Sequence, residues 1–275
     1  MDKRNFIGLM GGAALFGPTV WAQRNAESLV IAVNEGATYK SLGGSPAERF
    51  AGIAADLQRL TGRAPRFLMV ENYGELALGL KEARYDVAYV HPAHYSIRAM
   101  SQSGWHLAAL TQGFTEYRAS FMVPANSPLK TLADLKGRKV GAPIEDSITS
   151  VLTRATLREA FGAELPELSY VRYQDAVPFM VEHGLAACGV SASGQVVKEW
   201  QDKGERILHT SKPVPIKHLI VSPKVPAGLR VDLSNYFLGL EQSADGKKRL
   251  ETLNVPGFIP FEQSALTGIG TWLGV

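Results

Sequence analysis

Apolar runs of strand length alternate with amphipathic helical stretches along this chain, and that alternation most limits what it can fold into. Leu-Val-Ile-Ala-Val at residues 29–33 is continuously apolar, as strands covered on both faces are. Ser45 and Pro46 then open a helix, with proline in the turn that tolerates it. Phe50, Ile53, Ala54, Leu57 and Leu60 give its apolar stripe, and Gly62 stops it. Residues 66–70 (Arg-Phe-Leu-Met-Val) are predicted as the second strand, 73–84 as a second helix and 86–90 (Asp-Val-Ala-Tyr-Val) as a third strand. The order β-α-β-α-β implies an open parallel sheet with right-handed crossovers.

Between residues 117 and 124 the pattern becomes extended, and a second alternation follows. It predicts a strand at 138–141, a helix opened by Ser147, a strand at 167–173, a helix at 175–183 and a strand at 186–191. Another extended stretch at 217–222 leads into helical patterns at 232–240 and 243–252. The economical reading is one lobe interrupted by another: residues 23–122 and 218–275 form the first lobe and 123–217 the second. The extended stretches near 121–125 and 217–222 would then be the hinges. A length of 275 residues suits two cores better than one.

Residues 1–22 read as an export signal. Lys3 and Arg4 precede an apolar run at 6–16, and Val20-Trp21-Ala22 ends at a small-residue cleavage site before Gln23. The start resembles a twin-arginine signal with lysine in place of the first arginine, so either that route or the general secretory one would lead to the periplasm. With 45% hydrophobic and 20% charged residues the chain is ordinary globular material. A net charge of +3 without a dense Lys/Arg tract gives no footprint for nucleic acid. The single cysteine, Cys188, cannot form an intrachain disulfide, and its setting (Leu-Ala-Ala-Cys-Gly-Val) predicts a buried strand thiol.

Open α/β sheets place ligands beyond the carboxyl ends of their strands. Tyr39 falls in the first such exit loop, and His91, His94 and Tyr95 follow the third strand. In the second lobe a short strand, a polar turn and then Ser147, Thr149 and Ser150 open a helix. Unpaired first-turn amides, the helix dipole and hydroxyl donors together can hold an anion. The same residues are also what plain N-capping uses. Tyr173 and Gln174 open the next second-lobe helix, and Ser191 and Ser193 follow a strand end. His91 and His94 share the i, i+3 spacing of a metal pair, but Pro92 lies between them and no third ligand is identifiable, so no metal and no cofactor is predicted. His91 reads as a hydrogen-bonding residue, His94 equally as a solvated first-turn residue, and Tyr95 as either a ligand contact or packing beneath the loop. No nucleophile elbow, His-Glu-x-x-His, Cys-x-x-Cys or phosphate-binding glycine loop occurs.

Four ordered stretches resemble the substrate-binding proteins of phosphate/phosphonate/phosphite-type ABC transporters, which have the type II periplasmic-binding-protein fold. They are residues 85–95 (Tyr-Asp-Val-Ala-Tyr-Val-His-Pro-Ala-His-Tyr), 127–141 (Ser-Pro-Leu-Lys-Thr-Leu-Ala-Asp-Leu-Lys-Gly-Arg-Lys-Val-Gly), 146–150 (Asp-Ser-Ile-Thr-Ser) and 184–190. The second is widespread among type II binding proteins and speaks for fold more than ligand. The resemblance implies a two-lobed α/β protein with a cleft that closes on a tetrahedral oxyanion, gripped at the helix start by Ser147, Thr149 and Ser150. It departs from the family at Ile148 and Ser150, where Thr and Gly are common, at His91 in place of a glycine, and at Tyr173 in place of a histidine. Phosphonate, phosphite, phosphate, a sulfur oxyanion or an organic carboxylate therefore all stand as ligands. The expected protein is a periplasmic monomer, not an enzyme, that hands its ligand to a membrane permease. A sensor kinase is the alternative partner, and an exported metal-dependent enzyme using His91 and His94 a further alternative.

Overall fold

A computed structural model describes residues 28–36 and 46–275. The predicted export signal, its cleavage site, Ser45 and Tyr39 lie outside the described residues. The first sheet opens with β1 (Ser28–Asn34), α1 (Pro46–Thr61), β2 (Ala64–Met69), α2 (Tyr73–Lys81), β3 (Val87–Val90), α3 (Ala93–Ser103) and β4 (His106–Thr111). The chain then builds a second sheet through β5 (Ser120–Val123), β6 (Lys139–Pro143), α4 (Ile148–Phe161), β7 (Glu167–Val171), α5 (Val177–Glu182), β8 (Cys188–Ser191), α6 (Gly194–Asp202) and β9 (Arg206–Thr210). It returns to the first with β10 (His218–Val221), α7 (Ala227–Leu238), α8 (Ala244–Leu253), β11 (Phe258–Ile259) and α9 (Gln263–Leu273). The strand orders are β11-β4-β10-β3-β1-β2 and β7-β6-β8-β5-β9. This is a two-lobed α/β fold. No helix among the described residues is long and apolar enough to cross a membrane.

Each sheet is mixed where a parallel one was predicted. β10 inserts antiparallel between β3 and β4, and β5 antiparallel between β8 and β9. The cause is the apolar character of the two extended stretches. Phe121, Met122, Val123, Leu219, Ile220 and Val221 are all buried, so these residues belong inside sheets rather than across a gap between them. The segments that do cross are 112–119 and 211–217, and they pair with one another. Tyr117 and Val214 exchange two backbone bonds (3.2 and 2.9 Å), Ser211 N–H donates to Ala119 O, and Ile216 N–H donates to Phe114 O.

Other departures are local. Leu60 is 37% exposed, because the stripe that faces the core is carried by Phe50, Ile53 and Leu57 alone. The helix predicted at 175–183 begins as a 3₁₀ turn at Gln174–Ala176 before α5, with Pro178 in its opening turn. β4, β9, β11, α6 and α9 have no counterpart among the elements predicted from sequence. Cys188 is buried in β8 as expected, and burial pushes its thiol pKa up.

The signature at 127–141 is a folding device. Asp134 accepts from the amides of Lys130 and Thr131 (both 2.8 Å) in a reciprocal capping box, and Arg206 donates to the carbonyls of Ala125, Ser127 and Leu129. The glycines of β6 and β8 have a packing reason. A Cβ at Gly141 would stand 2.8 Å from Met180 Sδ, and one at Gly189 would stand 2.7 and 2.8 Å from Val177 Cγ1 and Val181 Cγ2. Both let α5 close on the sheet and so carry Gln174 to the end of β8. Gly189→Ala is expected to lower stability by about 1–3 kcal/mol through overpacking. Urea denaturation checks this, and an unchanged midpoint would refute the packing account.

The C-terminal helix α9 packs on both α3 and α4. Arg158, at the end of α4, donates to the last carbonyls of α9, Trp272 (3.0 Å) and Leu273 (2.9 Å). Those carbonyls lack partners within their own helix, so a cation there is favourable. The helix whose start is the candidate anion site is thus tied to the first lobe at its other end.

Candidate functional site

The first lobe presents its residues at the exits of β1 and β3. Buried Asn34 donates to the Val70 carbonyl (2.6 Å) and accepts from the Gly36 N–H (3.0 Å), which fixes the turn leaving β1. Gly36 has φ +90°, and a Cβ there would lie 2.7 Å from His91 Cδ2, so glycine allows this exit to lie against the imidazole. His91 is buried, with its ring edge-on to that of Tyr117 (centroids 6.0 Å, 86°). Burial, then nearby Lys217 and His218, press its pKa down to about 3, so it is neutral at pH 7.

The second lobe presents the start of α4. Ser147 is the N-cap, and its Oγ accepts from the Ser150 N–H (3.1 Å). The Ser150 hydroxyl turns back and donates to the Pro143 carbonyl at the end of β6 (2.7 Å). Ser147 therefore caps the helix, and Ser150 fastens it to the strand. Thr149 is the member of the cluster whose side chain leaves the lobe's own framework. Its Oγ1 lies 2.9 Å from the Tyr117 hydroxyl on the crossing ribbon.

From Tyr117 the bonding continues. Gln174 Nε2 donates to the Tyr117 hydroxyl (3.3 Å), and Gln174 Oε1 accepts from the Ser191 hydroxyl (3.0 Å) and the Ala192 N–H (2.6 Å). The two bonds to Oε1 decide which way the amide faces and aim its N–H groups at Tyr117. Thr149, Gln174 and Ser191 are buried. The arrangement is a run of neutral donors and acceptors at a helix N-terminus, where the amides of Ile148 and Thr149 find no carbonyl in their own helix.

The remaining sequence candidates are distributed around this chain. Tyr39 lies outside the described residues. Tyr173 is half-buried beneath the Arg172 guanidinium (5.2 Å), and its neighbour Gln174 is the one that enters the bonded chain. Ser193 caps α6 through the Val196 N–H (3.4 Å). His94, for which a solvated first-turn place was one expectation, is buried against Tyr95 (centroids 4.2 Å), and Tyr95 packs in turn on Tyr73 (5.4 Å). Burial, then Arg98 and Arg154, hold the His94 pKa at about 3, against the pull of the Asp146 carbonyl. The two histidine rings thus have different surroundings. Among the described residues no three His, Cys, Asp or Glu side chains converge as a metal set would.

Two residues escaped the sequence reading. Tyr117 links the lobes, and the only sequence signal for it is a tyrosine in a segment that must pass the cleft. Lys217 has φ +59° and holds its ammonium 3.6 Å from the Phe114 ring centroid, half-buried at the first lobe's edge. Burial lowers its pKa, while Glu35 opposes that shift.

A sequence profile described as the periplasmic substrate-binding protein of a phosphonate ABC transporter matches residues 45–266. Among solved structures, a Xanthomonas citri protein bound to ATP superposes with a TM-score of 0.74 at 15% identity, over 90% of this chain and 97% of that one. PhnD1 of Prochlorococcus marinus, in complex with methylphosphonate, gives 0.64 at 16% identity over 90% and 98%. The binding-protein component of an ABC phosphonate transporter from Pseudomonas aeruginosa gives 0.61 at 14% over 89% and 85%. At such identities the likeness is one of fold. A 126-residue stretch is 25% identical to a 4,5-dihydroxyphthalate decarboxylase of Comamonas testosteroni, and spans 45% of this chain and 38% of that protein.

Proposed function

The chain belongs to the periplasmic substrate-binding proteins of phosphonate ABC transporters, and from that membership we propose that it captures a phosphonate-like oxyanion between its lobes and delivers it to a membrane permease. The observation that carries the reading is the hydrogen-bonded chain Thr149–Tyr117–Gln174–Ser191 beside the start of α4. The anion's oxygens take the Thr149 hydroxyl, the first-turn amides of α4 and the Gln174 amide, and Tyr117 and neutral His91 close the first-lobe side. Neutral donors suit a site that opens and empties, because a buried counter-charge would be costly each time the ligand left.

Closure follows from where the chain crosses. The paired segments 112–119 and 211–217 are the hinge, residues on either side of them move as lobes, and the Tyr117–Thr149 contact forms as the lobes meet. Export removes residues 1–22, and the mature protein works in the periplasm as a monomer.

Calorimetric titration with methylphosphonate, phosphite, phosphate, sulfate and acetate tests the reading, beside solution scattering with and without saturating anion. One of the phosphorus oxyanions is expected to bind 1:1 and to compact the protein. At 100 times its dissociation constant it should also raise folding stability by about 2.7 kcal/mol. Failure of every anion to bind or to shift the melt would sink the proposal. Binding without compaction would sink hinge closure alone.

A further inference from the structure

We propose that His94 supplies a hydrogen-bond acceptor to the anion site, which therefore takes oxyanions that still carry a proton and rejects sulfur oxyanions of the same shape. The inference rests on the anion reading above and specifies the class of ligand. His94, in the first turn of α3, is 3% exposed and reaches from the first lobe to the second, where its ring bonds to the carbonyl of Asp146. Its Nδ1 is buried and has no partner among the described residues, so that bond belongs to Nε2. Asp146 immediately precedes Ser147, the N-cap of α4. His91, whose ring stands edge-on to Tyr117, is near enough for its charge to act on His94. Both boundaries of the anion site, the start of α4 and the His91–Tyr117 pair, thus come to this one ring.

The tautomer sets the chemistry. Burial keeps the ring neutral, with its pKa at about 3, and an Nε2–H given to a carbonyl leaves Nδ1 as a lone pair. Backbone amides, the Gln174 amide and the Thr149 hydroxyl can all donate to an anion, whereas Nδ1 can only accept. A buried acceptor is costly unless a donor meets it, and a hydroxyl on the ligand is such a donor. Phosphonate, phosphite and phosphate monoanions carry a P–OH group near neutral pH. Sulfate, sulfonates and carboxylates carry no proton there, and would set an oxygen lone pair against that of Nδ1. The groups that face the ring are Arg98 on its own helix, Arg154 on α4, neutral His91 and the Tyr95 ring. His91 is held at about 3 and burial raises the Tyr95 phenol, so between about pH 6 and pH 9 the proton that titrates is the ligand's.

Methylphosphonate and methanesulfonate share a shape and differ in this proton, so calorimetry with the two tests the assignment on the wild type and on His94→Gln, with thermal melts of both. Near pH 6 the wild type is expected to bind methylphosphonate roughly a hundredfold more tightly, or better. Its methylphosphonate affinity should then fall about tenfold per pH unit above the ligand's second pKa, because the protonated form declines at that rate. Glutamine can turn an N–H towards a fully ionised anion. His94→Gln should therefore flatten the pH profile and bring the two ligands within about tenfold of each other. Comparable affinity of both ligands for the wild type, or a methylphosphonate affinity that holds constant up to about pH 9, overturns the acceptor assignment. So does a His94→Gln protein that melts normally and keeps both the preference and the slope. Binding of methanesulfonate alone overturns the inference and leaves the anion site standing. If neither of these ligands nor phosphite or phosphate binds the wild type, the anion site itself fails and takes this inference with it.

Discussion

Lowering the pH from 7 to 5 is expected to remove roughly 5 kcal/mol of folding stability, an effect comparable with the whole stability of many domains. Three buried imidazoles cause it. Burial leads the shift at each: His91 and His94 are held to about 3, and His218 to about 4, against an ordinary 6.5. Between those values the unfolded chain binds a proton at each histidine and the folded protein does not. Stability contributed by the three neutral rings is therefore complete above pH 6.5 and falls as the pH drops through the window. With three such sites the slope approaches about 4 kcal/mol per pH unit near pH 5. Nearby cations also oppose charging at His91 and His94, which face Lys217, Arg98 and Arg154. At His218 burial prevails against the pull of the Pro215 carbonyl, to which its Nε2 donates (3.1 Å), and its Nδ1 lies 2.7 Å from the Ser96 hydroxyl. Urea denaturation at pH 7.5, 6.5, 5.5 and 5.0 measures the slope, and His94→Gln should reduce it by about a third. A midpoint that does not move between pH 7 and pH 5 would show that these rings are not held neutral.

The sequence made the strand–helix alternation legible because continuous apolar runs and caps are local signals. Leu29, Ile31 and Val33 in β1, the Ser147 cap and the αL glycine at Gly62 could each be read within a few residues. What escaped depends on partners far along the chain. β9 (Arg-Ile-Leu-His-Thr) has no fully buried residue and is a strand because β5 lies beside it, more than eighty residues earlier. The direction of β10 follows from the path back out of the second lobe, which no window of sequence contains. The candidate site divides the same way. Ser147 and Ser150 were visible as a helix start, but whether their hydroxyls face a ligand or the protein's own backbone depends on Pro143 and on the capping geometry. Tyr117 entered only because Val214 pairs with it across the ribbon and turns its ring towards Thr149. The burial of His94 is hidden for a related reason: a first-turn histidine is solvated unless another element covers it, and here α4 packs on α3.

Thr149→Val and Ser147→Ala are expected to separate along different axes, although the two hydroxyls are two residues apart. Ser147 is a cap, with its oxygen taken by the Ser150 N–H at 3.1 Å. Its removal should cost about 1 kcal/mol of stability and change anion affinity by less than the other substitution does. Thr149 makes no cap; its hydroxyl meets Tyr117 across the lobes, where the anion's oxygen would be received. Valine keeps the shape of threonine and removes one donor, so the loss should appear in binding. A hydrogen bond to a charged group contributes about 1.5–3 kcal/mol, which is roughly ten- to a hundredfold in affinity for the phosphorus oxyanion that binds the wild type. Tyr117→Phe provides the control. If Tyr117 positions Thr149 rather than touching the anion, this variant should lose less affinity than Thr149→Val. Combined with Thr149→Val it should then add little, because the two act through one contact. Calorimetric titration and ligand-free melts on the wild type and these four variants measure both quantities. Equal affinity in wild type and Thr149→Val, with Ser147→Ala the weaker binder, would move the anion from the Thr149 hydroxyl to the cap and reverse the assignment.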